Sequence, residues 1–157
     1  MPEQSLSAPQ NRYPILIVED DDDEAQLLRR ALQRSGAQNP IHIADGGREA
    51  MQYLKGEPPY SDRHRYPLPK VLFVDLRMPE ITGFDVLAWL QDESECQIIP
   101  VIVLSNSTLN ADVVKAYKLG ANCYLHKPLD LDDMVQLMKQ TLDFWGACLT
   151  PQLPPNC

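Results

Sequence analysis

Residues 71–79 read VLFVDLRMP, and this stretch decides the fold of the chain. Its first four residues are apolar and include two β-branched valines, which is typical of a short strand covered on both faces. Asp75 ends the apolar run, and Pro79 and Gly83 follow as residues that turn the chain. The stretch therefore predicts a buried strand with one carboxylate at its carboxyl end.

Three other apolar runs also end in polar side chains. In chain order, these end groups are the acidic pair Glu19 and Asp20, the hydroxyl of Ser105 and the ammonium of Lys127. Ligands bind at the carboxyl edge of an open parallel sheet, where these groups and Asp75 would meet. The pattern predicts a pocket for a phosphate and a metal ion, with Asp75 as the phosphoryl acceptor.

Segments with apolar residues at helical spacing alternate with the strands. The predicted strands lie at residues 13–18, 41–44, 71–74, 98–104 and 122–125, and the predicted helices at 22–35, 48–55, 84–92, 111–119 and 130–142. Crossovers between parallel strands are nearly always right-handed. The order therefore predicts an α/β protein with a doubly wound (βα)5 fold, in which helices cover both faces of a five-stranded parallel sheet.

Composition narrows the class of protein. A net charge of −8 and a pI near 4.7 argue against nucleic acid as a direct partner, because phosphate binding needs a basic face. No apolar stretch approaches the ~18 residues of a membrane span, and the N-terminus lacks a signal-peptide core. The cysteines at 96, 123, 148 and 157 show neither zinc spacing nor a disulfide framework. These features predict a cytoplasmic protein in a reducing environment.

Repulsion between the predicted carboxylates points to a metal ion. Glu19, Asp20 and Asp75 in one spot would repel one another by roughly 4 kcal/mol per pair at about 4 Å and an effective dielectric of about 20. A hard divalent cation relieves this repulsion, and oxygen ligands with open water positions suit Mg²⁺. Asp75 could then attack phosphorus, while Mg²⁺, Lys127 and Ser105 neutralise charge on the phosphoryl oxygens. The acids at 21–24 are interpreted instead as a solvated helix start, because carboxylates favour helix N-termini.

Together these residues resemble the receiver domain of two-component response regulators. The resemblance covers residues 14–145 and rests on the acidic pair, the stretch from Asp75 to Pro79, Gly83, the hydroxyl at 105 and Lys127 with Pro128. It implies a flavodoxin-like sheet of order 2-1-3-4-5. The predicted receiver domain spans residues 13–145, with an N-terminal tail at 1–12 and a C-terminal tail at 146–157.

The resemblance implies a phosphorylation switch rather than a metabolic enzyme. A partner histidine kinase or histidine phosphotransfer protein would supply the phosphoryl group. Asp20, Asp75 and the backbone carbonyl of Arg77 would bind Mg²⁺ directly, and Glu19 would act through water. We also hypothesise that the Arg77 side chain shields the phosphoryl group from water and slows its hydrolysis.

The same resemblance implies how the signal leaves the pocket. Ser105 would move toward the phosphoryl group and Tyr124 would rotate inward. These shifts would change the surface formed by the last two helices and the last strand. In receivers, the Lys127–Pro128 bond is typically cis.

A finer resemblance is to the regulators that act with bacterial phytochromes. It rests on the proline-rich loop at 56–69, the strand at 122–124 and the sequence DFW at 143–145 before a tail rich in Leu and Pro. It implies a regulator without an output domain and a homodimer formed through the last strand and helix. Pro128 follows the general receiver form, whereas that subgroup often has Ser after the lysine. Phe144 and Trp145 could instead pack on their own domain.

Three alternatives compete with a phosphorylation switch. A phosphatase of the haloacid dehalogenase type needs a second Asp two residues after its nucleophile, where Arg77 stands. A degenerate receiver, acting only as an interaction module, would be expected to lose part of the pocket, and none is lost. A phosphate shuttle or sink needs the same pocket as a terminal switch, so the sequence leaves it open.

Overall fold

The computed structural model describes residues 12–157 and has a single five-stranded parallel sheet of order β2-β1-β3-β4-β5. Most of the predicted N-terminal tail, residues 1–11, lies outside this range. The elements in chain order are β1 (Ile15–Val18), α1 (Asp22–Arg34), β2 (Ile41–Ala44), α2 (Gly47–Lys55), β3 (Val71–Val74), α3 (Gly83–Asp92), β4 (Val101–Ser105), α4 (Asn110–Lys118), β5 (Cys123–His126) and α5 (Leu131–Ala147). The predicted (βα)5 architecture and strand order are confirmed.

Strand register aligns the polar residues at the carboxyl ends of neighbouring strands. Val18 in β1 pairs with Val74 in β3, and Ser105 in β4 pairs with His126 in β5. The next residue in three of these strands is Glu19, Asp75 or Lys127. Because all strands run in the same direction, these side chains emerge at one edge of the sheet.

Two apolar cores hold the sheet between its helices. Leu72 and Val74 face the core shared with α2 and α3, whereas Phe73 faces the core shared with α1 and α5. Every residue of β1, β3 and β4 is buried. Continuous burial follows from coverage on both faces, as the uninterrupted apolar runs predicted.

The bounds of two elements, β4 and α5, differ from the prediction by more than two residues. β4 begins at Val101 rather than near residue 98, because the chain turns where the Ile99 amide donates to the Cys96 carbonyl and Pro100 has no amide hydrogen to donate. α5 continues to Ala147, beyond the predicted end of the helix at 142. Trp145 packs against the α1 and α5 core, while Phe144 on the same helix is 64% exposed.

The structure contains a disulfide, although the cysteine spacing shows no disulfide framework and favoured a reducing environment. Cys96, in the loop between α3 and β4, is bonded to Cys157 across 61 residues of sequence. The Cys157 amide also donates to the Leu54 carbonyl at 2.9 Å. Such a separation leaves no local pattern in the sequence. In the described part of the chain, Cys123 and Cys148 are the free thiols.

The loop at 56–69 and the C-terminal segment hold each other in place through Arg63. Its guanidinium donates to the carbonyls of Tyr53 and Leu54, both at 2.9 Å, and to Pro155 at 3.0 Å. The aromatic rings in this region, Tyr53, Tyr60 and Tyr66, pack against one another at centroid distances of 5.1–6.0 Å. The proline-rich loop is therefore an ordered cover on the α2 side.

One backbone expectation is also corrected. In the range 12–157, the cis peptide bond is the one before Pro59 in that loop. The Lys127–Pro128 bond is therefore not cis, contrary to what the resemblance implies.

Removing the disulfide should lower stability. In the chain-entropy account, closing a loop of this length stabilises the native state by up to about 4 kcal/mol. We expect Cys157→Ser to lower the free energy of unfolding by roughly 2–4 kcal/mol in urea titrations without reductant. The matched control is Cys148→Ser, which removes a free, half-buried thiol. Equal urea midpoints for Cys157→Ser and an oxidised wild type would contradict this prediction.

Candidate phosphoacceptor site

Asp75 lies directly after β3 and is only 8% exposed. Its backbone amide donates to the Val18 carbonyl at 3.1 Å, and the following Leu76 amide donates to its Oδ1 atom at 2.9 Å. These two hydrogen bonds fix both the backbone and the carboxylate. The carboxylate therefore has a defined orientation at the edge of the sheet.

Gly83 allows α3 to begin against the acceptor residue. A Cβ atom at this position would lie 2.2 Å from the Asp75 carbonyl oxygen and 2.8 Å from the Leu76 Cα, both of them backbone atoms. The helix is started by a capping box, in which the Thr82 and Asp85 side chains bond to each other's backbone amides. The turn after Asp75 therefore requires glycine here for close packing.

Lys127 lies at the centre of three carboxylates. Its Nζ atom is 2.7 Å from Glu24, 2.9 Å from Glu19 and 3.6 Å from Asp75. The Lys127, Glu19 and Asp75 side chains are each less than a tenth exposed, whereas the Glu24 side chain is 40% exposed. The lysine and its three acidic neighbours form a group with a formal net charge of −2, and Glu24 is its most exposed member.

Burial and mutual charge shift the pKa values of this group. Burial raises the pKa of Glu19 to about 7; the nearby Asp75 charge adds to the shift and the Lys127 hydrogen bond opposes it. Burial also raises the pKa of Asp75, against the lowering effect of Lys127. Burial alone would lower the pKa of Lys127, but its bonds to Glu24 and Glu19 outweigh this and the pKa is raised. Lys127 therefore remains a cation.

The carboxylates suit a divalent cation. Glu19, Glu24 and Asp75 each present an oxygen, and these oxygens lie within 4.8 Å of one another. The available ligand atoms are all oxygens, and the group that includes Lys127 has a formal net charge of −2. Both properties suit hard divalent cations such as Mg²⁺ or Mn²⁺. The predicted ligand Asp20 is half-buried, and among residues 12–157 it belongs to no such three-carboxylate group. The structure thus brings together two of the three predicted acids and adds Glu24.

Glu24 is the site residue that the sequence analysis missed. A carboxylate in the first turn of a helix is common, so its residue type gave no signal. Its position did carry one, because Glu24 is four residues before the buried Leu28 and eight before the buried Leu32. Residues at that spacing share a helix face, so Glu24 points along the face that packs on the domain.

Ser105 is fully buried, and its hydroxyl belongs to a chain of hydrogen bonds that leads to β5. The Ser107 amide donates to Ser105 Oγ at 3.1 Å, and the Tyr124 hydroxyl donates to the Ser107 carbonyl at 2.8 Å. The two residues predicted to switch, Ser105 and Tyr124, are therefore joined through Ser107.

Arg77 and Asp112 connect this chain of bonds to the loop that follows Asp75. The Arg77 guanidinium lies 2.6 Å from Asp112 in α4, and the Ser107 hydroxyl donates to the same carboxylate oxygen at 2.6 Å. Asp112 thus holds the β3–α3 loop and the β4–α4 loop together. The Arg77 side chain is turned toward α4.

A cavity of about 190 Å³ lies beside the lysine and the acceptor. Asp75, Lys127 and Asn106 line its polar part, and Phe73 and Met134 line its apolar part between α1 and α5. The pocket therefore offers space next to a buried nucleophilic carboxylate and a fixed ammonium. A carboxylate can serve as a nucleophile, and an ammonium can neutralise charge on phosphoryl oxygens.

Known proteins that are similar to this chain in sequence and fold are response regulators. The sequence profile of the response regulator receiver domain matches residues 15–139. Response regulator Rcp1 of Synechocystis is 32% identical over 136 residues, covering 87% of this chain and 90% of that protein. The probable methanogenesis regulatory protein FilR2 of Methanothrix harundinacea is 32% identical over 133 residues, covering 85% of this chain and 83% of its own length.

Solved structures that are similar to this chain are also response regulators. The phosphorylated cyanobacterial phytochrome response regulator RcpA superposes with a TM-score of 0.79 at 32% identity, covering 88% of this chain and 98% of that one. The Mn²⁺-bound form of Rcp1 superposes with a TM-score of 0.74 at 32% identity, covering 90% of this chain and 99% of that one. The regulator RPA3017 in red light signalling of R. palustris gives 0.81 at 27% identity, covering 88% and 99%.

The chain belongs to the response regulator receiver family of two-component signalling. Its similarity to the cyanobacterial phytochrome response regulator RcpA agrees with the finer resemblance in the sequence. Within residues 12–157, no helix combines the length and apolar character needed to span a bilayer.

The raised pKa of Glu19 should make the stability of the metal-free protein depend on pH. Glu19 holds its proton more tightly in the folded than in the unfolded state, so its contribution is present below about pH 4.5 and is lost as the pH rises through about 7. Between pH 5 and 8 we expect a loss on the order of 2 kcal/mol that Glu19→Gln lacks. Urea titrations across this range, with the exposed Glu95→Gln as control, measure it. Parallel profiles for wild type and Glu19→Gln would contradict the prediction.

Proposed function

We propose that this chain is a single-domain response regulator that receives a phosphoryl group on Asp75 from a partner histidine kinase. The observation that carries the proposal is the buried Asp75 carboxylate, fixed after β3 with the Lys127 ammonium 3.6 Å away. Family membership supplies the reaction class. The high coverage of Rcp1, 90% of its length, supports a regulator of one domain.

The geometry suggests which oxygen attacks. The Leu76 amide and Lys127 both lie against Oδ1 of Asp75, which leaves Oδ2 as the nucleophile. A bond forms between Oδ2 and phosphorus as the bond from phosphorus to the donor histidine nitrogen breaks, and the imidazole keeps the electron pair. Lys127 and the Ser105 hydroxyl stabilise charge on the transferred oxygens.

We propose Mg²⁺ as the metal. When bound, it would neutralise charge on the acceptor and on the phosphoryl oxygens. Glu19, Asp20, Asp75 and the Arg77 carbonyl would hold it as the family resemblance implies. The net negative charge of the carboxylate group supports a divalent ion, as does the Mn²⁺-bound form of the similar protein Rcp1.

The signal would leave through the surface of α4, β5 and α5. A shift of Ser105 toward the phosphoryl group would break its bond to Ser107 and so disturb the Tyr124 contact. Exposed apolar side chains lie near this surface, at Leu109, Val114 and Tyr117 around α4 and at Phe144 on α5. We propose a homodimer through the last strand and helix, since such side chains favour an interface.

The proposed partner is a sensor histidine kinase of the phytochrome class, supported by the similarity to RcpA and to RPA3017. A histidine phosphotransfer protein is the alternative donor or recipient. We propose a cytoplasmic location, and no nucleic acid or membrane as direct partner. The Cys96–Cys157 disulfide is the observation that weighs against a reducing compartment.

Phosphorylation with a small donor tests the proposal. With acetyl phosphate or phosphoramidate and Mg²⁺, we expect the intact mass to rise by one phosphoryl group in the wild type and not in Asp75→Asn. Omitting Mg²⁺ should slow the gain by at least about tenfold, because the metal neutralises transition-state charge. Size-exclusion elution of the same samples reports self-association.

A wild type that binds Mg²⁺ but gains no mass would favour the phosphorylation-independent interaction module. A gain that Asp75→Asn retains would move the acceptor to another residue. Rapid transfer onward to a histidine phosphotransfer protein would identify a shuttle.

Substitution of Arg77 tests the hypothesis that its side chain shields the phosphoryl group from water. If it covers the phosphoryl group after leaving Asp112, Arg77→Ala should shorten the phosphoryl lifetime roughly two- to fivefold, the size of one exposed charge contact. Loss of phosphorylated mass after donor removal measures the lifetime. Arg48→Ala is the matched control, since it breaks an exposed ion pair with Glu80 outside the pocket. An unchanged lifetime in Arg77→Ala would remove the idea.

A further inference from the structure

We propose that Glu24 is a positioning residue that holds the Lys127 ammonium away from the acceptor until a phosphoryl group arrives. The inference rests on the proposed function, in which Lys127 stabilises the transferred oxygens. It assigns a role to an acid outside the family motif.

The distances within the group favour this role. Lys127 lies 2.7 Å from Glu24 but 3.6 Å from Asp75, beyond ordinary hydrogen-bond length. An ammonium has three hydrogens to donate, and Glu24 and Glu19 accept two of them. Lys127 is thus committed mainly to the two glutamates, and its contact with the acceptor is the loosest of the three.

Differences in burial decide which glutamate can release the lysine. The Glu19 side chain is 6% exposed, so losing its cation would leave a buried, unpaired charge, which is costly. The Glu24 side chain is 40% exposed, so water can solvate it once the lysine leaves. Lys127 can therefore exchange Glu24 for a phosphoryl oxygen while it keeps Glu19.

The backbone of Glu24 need not move in this exchange. Its amide donates to the N-cap residue Asp21 at 3.0 Å, which fixes the first turn of α1. Only a side-chain rotation is needed to carry the carboxylate into solvent. Glu24 thus acts as a releasable partner on a rigid helix.

The test compares Glu24→Gln with Asp23→Asn, which removes the same charge from the neighbouring exposed residue. The first readout is the ¹⁵N signal of the Lys127 ammonium in the metal-free protein. We expect Glu24→Gln to shift or broaden this signal, and Asp23→Asn to leave it unchanged. This readout needs no phosphorylation, so it stands even if the proposed function fails.

The second readout is phosphorylation by acetyl phosphate at saturating donor, with Mg²⁺ affinity measured by calorimetry. Relative to Asp23→Asn, Glu24→Gln should react roughly two- to fivefold faster, the effect of one partly exposed ion pair. Its Mg²⁺ dissociation constant should stay within about twofold of the control value, because Glu24 is not among the proposed Mg²⁺ ligands and both variants lose one negative charge near the site.

Two results would overturn the inference. A Mg²⁺ affinity at least about tenfold weaker, with slower phosphorylation, would make Glu24 a metal ligand. Identical behaviour of the two variants in both readouts would make it a solvated acid. Failure of the proposed function is recognised separately, because wild type would then gain no phosphoryl group on Asp75.

Discussion

The buried ammonium of Lys127 is the interaction on which this site depends. Glu19 and Asp75 are both nearly inaccessible to water, and two such carboxylates could not share one edge of a sheet without a cation. Lys127 supplies that cation and draws in a third acid, Glu24, from the solvent side. One positive charge against three carboxylates leaves an excess of negative charge, which the raised pKa of Glu19 or a bound divalent cation would relieve.

The fold assembles this group with little local help. The strands that carry Glu19 and Asp75 are adjacent, but Lys127 follows β5, which is two strands from β3. Register and parallel direction bring the three side chains to one height, and the close approach at Gly83 keeps α3 packed against the acceptor turn. The charged group therefore forms only in the folded domain, because its members come from separate segments of the chain.

Sequence patterns predicted the parts of the molecule that periodicity and strand ends determine. Continuous apolar runs marked β1, β3 and β4, and the polar residues that end these runs marked Glu19, Asp75 and Ser105. These patterns do not predict which side chains contact each other when they are far apart in the sequence. Glu24 was taken for an ordinary helix-start acid, and the Cys96–Cys157 disulfide joins residues that only the folded chain brings together.

The pocket and the proposed output surface share one set of hydrogen bonds. Ser107 accepts from Tyr124 through its carbonyl, donates to Ser105 through its amide and donates to Asp112 through its hydroxyl. A displacement of the Ser107 backbone would disturb its amide and carbonyl contacts together, whereas its hydroxyl can rotate away from Asp112 separately. In the proposed switch, a shift of the Ser107 backbone would therefore connect the Ser105 contact in the pocket with the Tyr124 contact at β5.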